Sequence, residues 1–325
     1  MNNLIEYNPK PLEMVIEEHN HIGNDFIVAN TEVVTLEHLR DDCIVPVFTK
    51  DNETTISHFQ FIDKVNQSVR NSLPDYHVND ASVRVSHVIK GRVPGAIGKS
   101  VKDLFEHEKT RYYERCAFTI DIPDIYQVIG NSKLSLSIGG VRAYNQENLY
   151  SSKSMEKFKL FIGFKNWVCT NLCISTDGLM DSVRVSSLEE LGEKASDLIN
   201  SFDAQRQLLD MEQLIEHKLS EKQFSLLVGK LRMLPYLDRS KNPDVMNCTL
   251  SESQASTIVK DYYTDKNFAK ESDGSITLWS LYNLMTAANK SSYIDRSFQR
   301  NANCFELVKH LGKSMEKGTH SWYLD

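Results

Sequence analysis

Lysine, arginine and tyrosine recur together in the middle of this chain, in a pattern suited to holding a polyanion. Arg84 and Lys90 fall on the polar positions of one alternating segment, and Arg92 and Lys99 lie in the loop that follows. Arg111, Tyr112, Tyr113 and Arg115 interleave guanidinium groups with rings; Arg142, Tyr144 and Asn145 come just after Gly139-Gly140, and Lys157, Lys159 and Lys165 add charge beyond them. Cationic heads neutralise phosphates while tyrosine faces stack on bases, which is the chemistry of sequence-tolerant single-strand binding. The predicted interface is Arg84, Lys90, Arg92, Lys99, Arg111, Tyr112, Arg115, Arg142, Tyr144 and Lys165. It requires an open groove with Arg84, Arg92 and Arg142 along one wall. The competing expectation is ordinary: tyrosines in a core and lysines on a solvated strand face.

Other chemistry finds less support. The segment G-R-V-P-G-A-I-G-K-S at 91–100 has a phosphate-loop flavour. The G-x-x-x-x-G-K-S pattern, however, needs glycine where Val93 stands, and Pro94 has no amide to donate. A turn leading into a helix is the expectation there. Cys169 and Cys173 lie four apart with no matching Cys/His pair, so a zinc site is not expected. Ser175-Thr176-Asp177-Gly178 reads as a turn rather than a nucleophile elbow. The adjacent Asp41 and Asp42 point apart in an extended chain and make no acid–base dyad. No catalytic residue, metal or cofactor is predicted.

The elements that must position the cationic residues follow from periodicity. Val83, Val85 and Ile89, then Phe118, Ile120 and Ile122, then Leu134, Leu136 and Ile138 each alternate with polar residues, predicting strands with one face buried and one polar. Phe158–Phe164 and Trp167–Ile174 read as a hairpin, and Asp177-Gly178 as a further turn. A helix is predicted over about Ser100–Arg115, and another where Phe59, Ile62, Val65 and Val69 recur before Pro74. Short strands are expected at Phe26–Ala29 and Ile44–Phe48. After residue 186 the period becomes helical. Ser187/Glu190, Ser220/Gln223 and Ser251/Gln254 fit the capping box, and two more helices are predicted around Trp279–Ala288 and Ile294–Leu311. The loop Pro235–Cys248 separates the two helical groups. The fold class is α+β: an antiparallel curved sheet with packed helices, then an all-helical C-terminal part. The expected organisation is a loosely ordered arm at 1–25, an α+β domain at 26–186 and a helical domain at 187–325.

Charge is laid out unevenly. Residues 1–80 hold 5 Lys+Arg against 14 Asp+Glu, whereas residues 81–167 hold 14 against 8. A basic middle in a chain of net charge -7 attracts phosphates locally. The acidic N-terminal part would either neutralise that middle or compete for a partner's nucleic-acid-binding surface. Hydrophobic residues at 41% are enough for a packed core, and no apolar run approaches a membrane span. Six scattered cysteines without a C-x-x-C and no apolar leader point to a cytoplasmic protein with reduced thiols.

Four long segments carry a resemblance: T-I-S-H-F-Q-F at 55–61, E-K-T-R-Y-Y-E-R at 108–115, I-G-G-V-R-A-Y-N-Q-E-N-L-Y at 138–150 and V-C-T-N-L-C-I-S-T-D-G at 168–178. In these the chain resembles a bacterial family, domain of unknown function 3871. V-C-T-N at 168–171, and T-L-W-S-L-Y-N-L-M-T at 277–286 with Arg296 and Arg300 after it, are similar to a phage- and plasmid-borne family, domain of unknown function 932. The resemblance implies a mobile-element setting and supplies no activity or site residues. The expectation is a non-enzymatic, mobile-element protein whose partner is single-stranded DNA or another nucleic acid. The alternative is an interaction or inhibitor protein acting on a host protein partner, for instance in anti-defence. No membrane partner is expected, and the sequence leaves the oligomeric state open.

Overall fold

A computed structural model describes residues 26–45, 55–96, 98–146, 155–242 and 245–325. Along the chain run β1 (Glu32–Val34), α1 (Leu36–Asp41), α2 (His58–Ser72), β2 (Ser82–Val85), β3 (Val88–Arg92), β4 (Lys109–Tyr113), β5 (Arg115–Ile129), β6 (Ser132–Ala143), β7 (Glu156–Asn166), β8 (Leu172–Cys173) and β9 (Leu179–Val185). Then follow α3 (Leu188–Ser201), α4 (Ala204–Glu216), β10 (Lys218–Leu219), α5 (Glu221–Met233), α6 (Glu252–Thr264), β11 (Ile276–Thr277), α7 (Leu278–Asn289) and α8 (Ile294–Lys317). The main sheet is antiparallel and curled into a half-barrel, in the order β1-β2-β5-β6-β7-β8 with β9 also on β7. The expected α+β class is therefore observed.

α2 begins where Ser57 and Gln60 satisfy each other's backbone amides, a capping box the periodicity alone did not reveal. Its apolar stripe lies on the sheet, with the Phe61 ring 5.1 Å from Phe118 and 4.7 Å from Phe158. The glycines of β6 permit this approach. A Cβ on Gly140 would stand 2.6 Å from Phe61 and 2.7 Å from the Lys159 carbonyl, while one on Gly139 would meet the Phe118 carbonyl. α3 lies beside α2, tied by the Ser68 hydroxyl to the Gly192 carbonyl at 3.2 Å.

The opposite face is covered over much of its area, which corrects the one-sided sheet expected from alternation; only the far part of β5, with Asp124, Tyr126 and Val128 exposed, keeps it. Phe298 of α8 packs on Phe161 at 4.4 Å, with Phe26, Ile27, Ala117, Val141 and Ile174 around it. The polar residues of that alternation are consequently buried and bond to one another: Ser137 donates to Asp121 at 2.8 Å, Lys165 to Asp121 at 2.6 Å, and the Trp167 indole to Ser135 at 2.7 Å. Hydrogen-bonded burial of this kind avoids the cost of orphaned polar groups.

Three local expectations also change. Ser100–Arg115 is not a helix; it is two short 3₁₀ turns, Val101–Asp103 and Glu106–Glu108, followed by β4 and the start of β5. Phe26–Ala29 forms no strand, but Phe26 and Ile27 are buried under α8, and the Val28 and Ala29 amides donate to the Lys290 carbonyl. Ile44 makes a single bridge to Arg111, and residues 46–50 and the arm at 1–25 lie outside the described residues. α3 and α5 to α8 match the periodic reading, whereas α4 is an additional helix and the short antiparallel pair β10–β11 corrects the all-helical expectation for this part. Ser220/Gln223 and Ser251/Gln254 close as full capping boxes, whereas Glu190 bonds the Ser186 amide instead of that of Ser187. One hydrophobic cluster runs from Leu39 through the sheet to Leu311 and Tyr323.

Gly140→Ala is expected to lower stability by about 1–3 kcal/mol, because the added methyl presses on a backbone carbonyl as well as a ring. Urea unfolding followed by circular dichroism measures it; an unchanged midpoint contradicts the tight helix–sheet approach.

Candidate polyanion interface

The structure divides the sequence-predicted residues into two groups. Arg84, Arg115, Arg142, Tyr144 and Lys165 belong to the body of the protein. Lys90, Arg92, Lys99, Arg111 and Tyr112 lie on the β3–β4 hairpin and its connection.

In the body, Arg142 is fully buried. Its guanidinium pairs with the Glu156 carboxylate, donates to the Ile56 carbonyl, and lies 4.4 Å from the Tyr144 ring centroid and 4.5 Å from that of Phe158. Glu156 accepts the Ile56 amide at 3.1 Å, so this ion pair clasps the backbone just before the N-cap of α2. The buried His58 ring packs at a 35° tilt on Tyr144, 4.6 Å between centroids, and its Nε2 donates to the Tyr113 carbonyl at 2.8 Å. Burial, then the neighbouring Arg142 charge, pushes the His58 pKa down to about 3. Arg84 is buried and donates to the Thr31 hydroxyl and carbonyl at 2.8–3.0 Å. Lys165 is the counter-ion of Asp121, and Arg115 lies between Glu114, Asp295 and the Tyr293 ring. An open wall formed by Arg84, Arg92 and Arg142 therefore does not exist: two of the three are interior, held by their own acceptors.

The hairpin is different. β3 and β4 form a two-stranded ribbon, in the register Val88↔Tyr113, Lys90↔Arg111 and Arg92↔Lys109, with a single further bridge from Arg111 to Ile44 among the described residues. Directly opposed residues share a face, as do residues two apart, so Lys90, Arg92, Lys109 and Arg111 occupy one face of the ribbon. Lys90 and Arg111 are exposed; Arg92 and Lys109 are half-buried. Lys109 meets Glu106 at 2.5 Å, whereas Lys90, Arg92 and Arg111 have no carboxylate partner among the described residues. Like charges placed directly across a ribbon repel, which leaves this face short of an anion. The base of the ribbon is fixed by backbone pairing of Arg111 with Ile44 and by the Tyr113 hydroxyl bonded to His38 at 3.0 Å.

At the ribbon's far end the chain doubles back through the 91–108 connection. Arg92 donates to the Lys99 carbonyl, and Lys99 pairs with Glu108, which also accepts the Phe105 amide. Those contacts, Lys99 first, hold the Glu108 carboxyl below its usual range. Lys99 also lies 5.2 Å from the ring of Phe105, which is 64% exposed and stacked on His107 at 5.6 Å and 7°. Tyr112, by contrast, is on the opposite face from the cations and meets Tyr144 edge-on at 5.6 Å. The exposed aromatic face is therefore Phe105/His107, not Tyr112. The sequence reading missed Phe105, His107 and Lys109 because a predicted helix covered them, although the alternation in Lys109-Thr110-Arg111 was a usable strand signal.

A family model described as "Domain of unknown function, B. Theta Gene description (DUF3871)" matches residues 13–324. The chain belongs to DUF3871. No curated protein and no solved structure matches it. In this DUF3871 chain, the T-R-Y-Y of E-K-T-R-Y-Y-E-R is strand β4, and V-R-A-Y after the paired glycines carries the buried Arg142 and Tyr144. No three His, Cys, Asp or Glu gather as metal ligands among the described residues, and none of their helices is long and apolar enough to cross a membrane. The six cysteines are free, and burial pushes the Cys169 thiol up to about 11.

Two outcomes follow for the clasp. Glu156→Gln leaves Arg142 buried beside a neutral group and is expected to cost about 3–5 kcal/mol in chemical denaturation. Separately, His58 binds a proton in the unfolded chain below its ordinary value of 6.5 but not in the folded one until about pH 3. Acidification between those values therefore favours unfolding, with a slope approaching about 1.4 kcal/mol per pH unit. His58→Gln should flatten that part of the stability–pH curve; an unchanged curve contradicts the assignment.

Proposed function

We propose that this DUF3871 protein binds single-stranded nucleic acid with little regard to sequence, through the β3–β4 ribbon and the Phe105/His107 tip. The observation that carries this reading is the row of Lys90, Arg92, Lys109 and Arg111 on one face of the ribbon. Their cross-strand repulsion is relieved by a polyphosphate lying along it. The exposed, near-parallel Phe105 and His107 rings favour a single strand over a duplex, since unpaired bases stack on such a surface without base-specific hydrogen bonds. The role is non-catalytic: the strand is held and no bond in it is altered. A phage- or plasmid-like element is the proposed setting, and the cytoplasm the proposed compartment.

Fluorescence anisotropy of a labelled oligothymidine across a salt series tests this. Affinity is expected to fall steeply with salt. Lys90→Glu/Arg111→Glu should shallow the log–log slope by at least about 1.4, from about 0.7 per lost phosphate contact on a single strand. Phe105→Ala should weaken binding by about 1–3 kcal/mol without changing that slope. Absence of binding at low salt, or a double variant that binds like the parent, overturns the reading. A host protein recovered in stoichiometric amount after nuclease treatment would then favour the protein-partner alternative.

A further inference from the structure

At the corner where α7 turns into α8 lies a second cationic group, remote in sequence from the ribbon. Arg296 and Arg300 are one turn apart on α8, Arg296 exposed and Arg300 half-buried. Among the described residues neither lies within ion-pair range of a carboxylate. Four other half-buried or buried cations do have one: Arg142 has Glu156, Lys159 has Asp181, Lys165 has Asp121 and Lys309 has Asp210, while Arg84, like Arg300, is held by neutral acceptors. The nearby Asp295 is engaged elsewhere, with Gln146 at 2.5 Å and Arg115 at 3.8 Å.

What holds Arg300 is neutral and pre-organised. Its Nη1 donates to the Gln254 side-chain oxygen at 3.1 Å and to the Ser292 hydroxyl at 2.8 Å, and both partners are almost fully buried. Gln254 is fixed in turn: its amide nitrogen donates to Ser292 at 2.8 Å and Ser291 at 3.2 Å, and its oxygen also accepts the Ser251 amide at 2.9 Å. One edge of the guanidinium is thus locked, while Nε and Nη2 have no partner among the described residues. Burial first, then the neighbouring Arg296, pushes the Arg300 guanidinium below its usual range. Two cations in the opening turns of a helix also oppose its dipole. Burial of Arg300, the neighbouring Arg296 and the helix dipole each act in the sense that a bound anion reverses.

We propose that Arg300 and Arg296 form a binding site for a phosphate group, with Ser292 and Gln254 as the buried frame that aims the Arg300 fork. A guanidinium fork with two free N–H groups and a second guanidinium one turn away suits a tetrahedral dianion better than a carboxylate. The site does not depend on the ribbon, and the phosphate can come from a free phosphorylated small molecule or from a nucleic-acid backbone.

The test is thermal unfolding and calorimetry of the full chain with inorganic phosphate and pyrophosphate, beside the oligothymidine salt series. In the parent, pyrophosphate should raise the melting temperature saturably. Arg296→Gln, a surface change, should weaken that binding by about tenfold, and Arg300→Lys, which keeps charge but loses the fork, by more. If Arg296→Gln also shallows the oligonucleotide salt slope by about 0.7, the phosphate belongs to a nucleic-acid strand. If the slope is unchanged, the site takes a free phosphorylated ligand. No saturable response to pyrophosphate in the parent, or equal responses in parent and both variants, overturns the proposal while leaving the ribbon's binding untouched.

Discussion

Burial of the half-barrel sheet on both faces is the constraint that distributes charge through this protein. α2 and α3 cover one side and α8 much of the other, so an ionisable side chain buried beneath them must find a partner inside. Arg142 finds Glu156, and Lys165 finds Asp121. In doing so they stop being surface cations and become structural groups. The Arg142–Glu156 pair also grips both backbone polar groups of Ile56, which sets the start of α2 and thereby the helix that closes the core.

Cations left over from that pairing collect where the chain leaves the sheet. The β3–β4 ribbon is an excursion between β2 and β5, tied to Ile44 and His38, with Lys90 and Arg111 exposed on one face. A strand register that places four cations on one face is unfavourable for folding alone, and it makes sense as a surface completed by an anion. The α7–α8 corner repeats the logic with a different device, a half-buried guanidinium framed by neutral side chains.

How much of this was legible in the sequence depends on which forces are local. Helices α2 and α5 to α8, and strands β5 to β7, follow from periodicity and capping residues, both short-range signals. The same alternation that located β5 and β6 suggested a solvated polar face. It could not show that Phe298, some 160 residues beyond Ile138, would cover part of it. Arg84 and Arg142 look like surface cations in sequence; Thr31 on one face, and Glu156 with Ile56 on the α2 face, make them interior. Lys90, Arg92 and Arg111 belong to the predicted interface, but that they share a face depends on register, which is invisible until β3 meets β4. Reading 100–115 as helix hid Phe105, because the charged run there resembles a helix surface while Lys99–Glu108 actually folds it into 3₁₀ turns.

The central claim is that the ribbon, and not the sheet, meets the polyanion. Amide hydrogen exchange of the full chain with and without a saturating single-stranded oligonucleotide tests this most directly. New protection should concentrate in residues 88–113, strongest around β4 and the Phe105 turn, with β5 to β7 unchanged. Protection spread over the sheet strands, or confined to segments away from the ribbon, would contradict it.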